Sequence, residues 1–100
     1  MIRKIFIIQT ILGKSNADVM QERLEIQQYI AFSLGFSTFT EVNATLFNTE
    51  DGEEFELFMK QLIDMSDTVV VQSGYEVSEL CKKLYAYAEA QGKEIYVREN

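Results

Sequence analysis

Thr68-Val69-Val70-Val71-Gln72 is the stretch on which the fold turns. Consecutive β-branched residues, set between Ser66-Asp67 and Ser73-Gly74, make it the clearest strand in the chain. Upstream, Lys4-Ile5-Phe6-Ile7-Ile8 is a short apolar run suited to a strand buried on both faces. Downstream, Glu94-Ile95-Tyr96-Val97 follows Gly92 and predicts the last strand. Phe39 to Val42 offers a fourth candidate, the weakest of the set.

The gaps between these strands carry helical spacing. Gly13-Lys14-Ser15-Asn16 breaks the first run, and Ser15 or Asn16 can cap a following helix. Val19, Ile26, Ile30 and Leu34 then fall within one arc, which Met20, Leu24 and Ala31 widen, and Gly35 supplies the stop. Asn48-Thr49-Glu50-Asp51-Gly52 reads as a turn, after which Phe55, Phe58, Met59 and Leu62 recur at helical spacing. Asp51, Glu53, Glu54 and Glu56 crowd the start of this helix, where the macrodipole favours negative charge. A third helix is predicted from about Ser78 to Gln91, with Leu80, Leu84, Tyr87 and Ala88 facing inward.

Strands and helices alternating in this way predict an α/β fold with a mostly parallel sheet covered on both faces. The expectation is a single domain over residues 1–100: a small flavodoxin- or Rossmann-like three-layer sandwich with a four-stranded parallel sheet. Right-handed crossovers favour the strand order 2-1-3-4. Ligands of such sheets sit beyond the carboxyl ends of the strands, at the switch point between strands 1 and 3. Two loops come into view, residues 9–15 and 72–78.

Composition excludes several chemistries. With 16 Asp and Glu against 9 Lys and Arg, the net charge is −7 and no basic stripe offsets it, so nucleic acid is not an expected partner. The chain has no His, which removes His-based zinc sites, Ser-His-Asp triads and Cys-His pairs. Cys81 is the single cysteine, which precludes an intramolecular disulfide and suits a reducing, cytoplasmic setting. Met1-Ile2-Arg3-Lys4 resembles the start of a signal peptide, yet the apolar run after it covers only Ile5 to Ile8. No apolar run approaches the roughly 20 residues that span a bilayer, so a membrane is not expected as a partner either. The acidic segment from Glu50 to Glu56 lacks the alternating oxygen ligands of a calcium loop, and no metal or cofactor is expected.

The two switch-point loops carry a resemblance. Ile5-Phe6-Ile7-Ile8-Gln9-Thr10-Ile11-Leu12-Gly13-Lys14-Ser15-Asn16 resembles the opening of the nucleoside 2-deoxyribosyltransferase-like superfamily, in particular a short bacterial and phage branch. Gln9, Gly13, Lys14 and Ser15 fall in register, Arg23 matches an arginine of the first helix, and Asn43 an asparagine ending the second strand. Ser66-Asp67-Thr68-Val69-Val70-Val71, then Gly74-Tyr75-Glu76 with Ser78 and Cys81, and then Ala88 through Val97 are similar to later segments of that family. The resemblance implies a covalent mechanism in which a glutamate of the last helix attacks the anomeric carbon of a nucleoside. An ungapped count from Gly74 to Gly92 puts Leu84 in its place, and a leucine is no nucleophile. Ile8, Thr10, Ile11, Leu12 and Leu80 also depart from the family pattern around the same pocket.

Three readings stay open. The first is a nucleoside- or nucleotide-derivative binding protein that has lost glycosyl transfer. Its pocket is lined by Gln9, Thr10, Gly13, Lys14, Gln72, Ser73, Gly74, Tyr75, Glu76 and Ser78, with Tyr75 stacking on a base or ribose and Lys14 facing a phosphate. The second is a homo-oligomeric structural module with the old pocket filled, whose contacts are Ile11, Leu12, Phe32 and Leu57. The third keeps an enzyme, an N-glycosidase using Glu76 or Glu79 to activate water. Against it, Glu79 beside Lys82 and Lys83 reads more simply as an exposed helical ion pair.

Overall fold

The structure, a computed structural model, describes residues 2–43 and 53–99. Four strands, β1 (Arg3–Ile8), β2 (Phe39–Glu41), β3 (Thr68–Gln72) and β4 (Glu94–Arg98), form one parallel sheet in the order β2-β1-β3-β4. Three helices join them: α1 (Asn16–Gln28), α2 (Glu53–Asp64) and α3 (Glu79–Ala90). The expected α/β sandwich and its strand order are both present. The turn expected at residues 48–52 lies outside the described residues.

Pleat alternation sorts the strand side chains onto two faces. On one, Phe6, Ile8, Val69 and Val71 pack with Met59, Ile63, Cys81, Leu84 and Ala88 of α2 and α3. On the other, Ile5, Ile7 and Val70 meet Ile26 and Ile30. Every residue of β3 is buried, because β1 and β4 pair with its two edges and helices cover both faces. That is why its sequence shows no alternation.

The helices depart from expectation in three places. Ser15 caps α1 as its sequence suggests, its hydroxyl accepting from the Asp18 N–H at 3.1 Å. Met20 and Leu24, expected inward, are 64% and 48% exposed. The buried arc of α1 is instead completed by a polar residue, Arg23, alongside Val19 and Ile26. The regular helix stops at Gln28 and gives way to a π turn over Tyr29–Ser33, where Leu34 N–H bonds to the Tyr29 carbonyl. On α2, Phe58 turns outward with Leu57, leaving Met59 and Ile63 as its buried residues. Among the described residues, no helix is long and apolar enough to cross a membrane.

Candidate functional site

β1 and β3 are neighbours, but their chains leave in opposite directions, β1 toward β2 through α1 and β3 toward β4 through α3. The loops at their carboxyl ends therefore diverge around a crevice. The first loop turns tightly, with Lys14 N–H bonded to the Ile11 carbonyl at 3.2 Å. Gly13 makes this possible with φ +73°, a left-handed conformation that side chains resist. The second loop enters through Gly74 at φ +91°, passes a short 3-10 turn over Tyr75–Val77 and ends at Ser78. Ser78 caps α3 by accepting from the Cys81 N–H at 3.1 Å.

Gln9, at the end of β1, organises the first loop. Its amide nitrogen donates to the Val19 carbonyl at 3.0 Å and to Glu22 Oε1 at 2.9 Å, while its oxygen accepts from Arg23 Nε at 2.9 Å. Lys14 Nζ lies 2.7 Å from the same Glu22 oxygen. From Gln9 the network runs under α1. Arg23 pairs with Glu41 of β2 and also donates to the Asn43 carbonyl at 3.4 Å, and Glu41 accepts from Gln27 at 2.7 Å. Burial pushes the Arg23 guanidinium below its ordinary value, and the charge and hydrogen bond of Glu41 oppose that shift. Asn43 is buried with its amide against Ile7.

The second loop is built differently. Gln72 is buried on the α1 face of β3, where its side-chain oxygen accepts from Arg98 at 2.6 Å, and Arg98 reaches on to Glu25 of α1 at 3.4 Å. Tyr75 stacks on Tyr85 of α3, ring centroids 5.1 Å apart and planes 9° off parallel. Its phenol is pushed up by burial, with Glu76, Tyr85 and Glu89 adding to the shift. Burial also raises the Cys81 thiol, against the Ser78 hydrogen bond and the positive charge of Lys14.

The expected site residues divide by role. Thr10, Gln72 and Ser78 are buried and shape the loops; Thr10 does so by accepting from the Leu12 N–H at 3.2 Å. Gln9, Lys14, Ser73 and Tyr75 are half-buried, while Gly13, Gly74 and Glu76 are exposed. Glu79 is a surface carboxylate paired with Lys82 at 3.0 Å. Leu84 is a core residue at 4% exposure. The four contact candidates do not share one surface: Phe32 follows α1 on one side of the sheet, and Leu57 sits on α2 on the other.

Glu22 and Glu41 escaped the sequence reading. For Glu41 a signal existed, since period-two alternation in β2 puts it on the same face as Phe39, beneath α1. Chemically, the crevice offers an amide, a hydroxyl and an ammonium–carboxylate pair. Among the described residues, no cluster of three or more acidic or thiol groups gathers to hold a metal ion. No family model, curated protein or solved structure matches this chain.

Proposed function

We propose that the protein binds a small nucleoside- or nucleotide-like molecule at the switch point and does not turn it over. The observation that carries this reading is the Lys14–Glu22 pair held by Gln9 at the carboxyl end of β1. A paired cation and carboxylate, fixed by a third side chain, present donors and acceptors at set positions, which suits a ligand rich in hydroxyls and amides. Lys14 can exchange its partner for a ligand phosphate, and the half-exposed Tyr75, backed by Tyr85, offers an aromatic surface to a base. The nucleoside 2-deoxyribosyltransferase-like pattern of the two loops supports the ligand class. Leu84 in the core and the raised Cys81 thiol argue against a covalent step. The lone thiol fits a reducing cytoplasm.

The test is an amide-resonance titration with nucleosides, nucleotides and ADP-ribose, alongside an assay for released base. Shifts confined to residues 9–15 and 73–78, with no base released, are expected. Silence of both loops at saturating ligand overturns the proposal, and base release overturns its non-catalytic part.

A further inference from the structure

β4 is an edge strand. It pairs with β3 on one side, and among the described residues nothing pairs with the other. The Arg98 carbonyl accepts from the Ser73 N–H at 2.9 Å, so Arg98 turns its backbone groups toward β3. By the alternation of a parallel ladder, Glu94 and Tyr96 do the same, and Ile95 and Val97 present their N–H and C=O groups outward. An open edge of this kind is a template for another strand.

We infer that a second copy of this chain docks on that edge, its β4 running antiparallel to the first about a two-fold axis through Tyr96. The sequence of the strand is complementary to its own reverse. In that register Glu94 faces Arg98 of the second copy, Ile95 faces Val97, and Tyr96 faces itself. The pairing of signs extends outward, because Lys93 then faces Glu99. Backbone parity agrees with the charges. Ile95 and Val97, whose polar groups point outward, become the hydrogen-bonded pairs. Glu94 and Arg98 become a non-hydrogen-bonded pair, the kind whose side chains approach most closely. Sliding the register by one residue sets outward groups against inward ones, and a shift that keeps parity separates Glu94 from Arg98.

The flank beside this edge is aromatic. Lys83 and Tyr87 of α3 reach across to Glu56 and Asp64 of α2. Tyr85, two residues from each and so about 200° round the helix, faces the opposite flank, above β4. With Val97 37% exposed below it, the strand edge continues into a surface that the second copy covers. The result is an isologous dimer with one continuous sheet, built without the crevice loops.

Sedimentation equilibrium tests the inference. The wild-type chain is expected at twice its 11.6 kDa mass. Arg98→Glu and Glu94→Arg each set like charges opposite one another at two symmetry-related places, and each is expected to weaken self-association by about tenfold or more. Mixed together, the two variants regain complementary pairs and form a heterodimer that neither forms alone. Glu99→Lys lies on an exposed side chain outside the strand and is expected to weaken the dimer by a few-fold while leaving the circular dichroism spectrum unchanged. A monomeric wild-type chain overturns the inference, as does a dimer indifferent to Glu99→Lys and to Arg98→Glu.

Discussion

The side-chain amide of Asn43 closes on both backbone groups of Ile7, accepting from its N–H at 3.0 Å and donating to its carbonyl at 2.7 Å. β2 has ended two residues earlier, at Glu41, and Asn43 supplies by side chain the ladder step that the backbone has stopped making. The contact finishes the outer edge of β1 just before the chain enters the crevice loop.

Asn43→Ala leaves a buried donor and a buried acceptor of Ile7 without partners, so a loss of about 1–3 kcal/mol in unfolding free energy is expected. Asn43→Asp costs at least as much at neutral pH, because an oxygen replaces the donor that faces the Ile7 carbonyl. Urea denaturation of the three proteins measures the order. Equal stability of wild type and Asn43→Ala contradicts the account.

Arg23 and Glu41 form the deepest ion pair among the described residues, with side chains only 8% and 12% exposed. Removing one partner strands the other charge under α1. Arg23→Met is expected to destabilise by about 3–5 kcal/mol, and Glu41→Gln by less, because its amide still bonds to Gln27 or Arg23. The double variant Arg23→Met/Glu41→Leu recovers most of the loss, since neither charge remains to be buried. A double-mutant cycle of Arg23→Met with Glu41→Leu, each single measured beside the double, rules this out if it shows no coupling.

Leu84 packs against the face of the sheet that carries Phe6 and Ile8. Leu84→Glu, which puts a carboxylate into this packing, is expected to destabilise the protein by several kcal/mol without creating base-releasing activity. Leu84→Ala costs about 2–5 kcal/mol through the cavity it opens. Thermal unfolding together with a base-release assay reads both effects.

The Cys81 thiol is held above its ordinary value, chiefly by burial. Unfolding exposes it to water, so the unfolded chain gives up the proton first and binds fewer protons across the interval between the two values. Stability therefore falls as pH climbs past about 8.5, where an unperturbed thiol ionises. Cys81→Ala is expected to flatten the decline between pH 8 and 10 relative to wild type, whatever its effect on absolute stability. Parallel curves for the two proteins refute the assignment. Modification of Cys81 by a thiol reagent is expected to be slow under native conditions.

The sheet was legible because its code is local. Val69-Val70-Val71 and Ile5-Phe6-Ile7-Ile8 carry their burial in their own composition, and right-handed crossovers then leave little choice of order. The switch-point loops followed from that order. Side-chain pairing across elements was less legible. Arg23 and Glu41 lie on a helix and a strand, and neither residue alone indicates that it will be buried with the other. Met20 and Leu24 misled because α1 covers its strands with a narrow stripe that a polar Arg23 can complete, leaving these apolar residues outside. The π turn has no periodic signature, since it alters which carbonyl is bonded while side chains such as Ile30 stay buried.

The pairing of β1 with β3 has a kinetic consequence. Ile5 meets Thr68 and Ile8 meets Val71, so the two central strands of the sheet are joined across more than half the chain. During synthesis β1 emerges long before its principal neighbour, with the three-residue β2 as its only strand partner among the described residues of the interval. Its edge toward β3 stays open until residue 71 has been made, and the helix that buries Cys81 and Leu84 comes later still. Folding is therefore governed by late, non-local closure, and the rate is expected to be set by β1–β3 docking and slowed by any insertion that lengthens the chain between them.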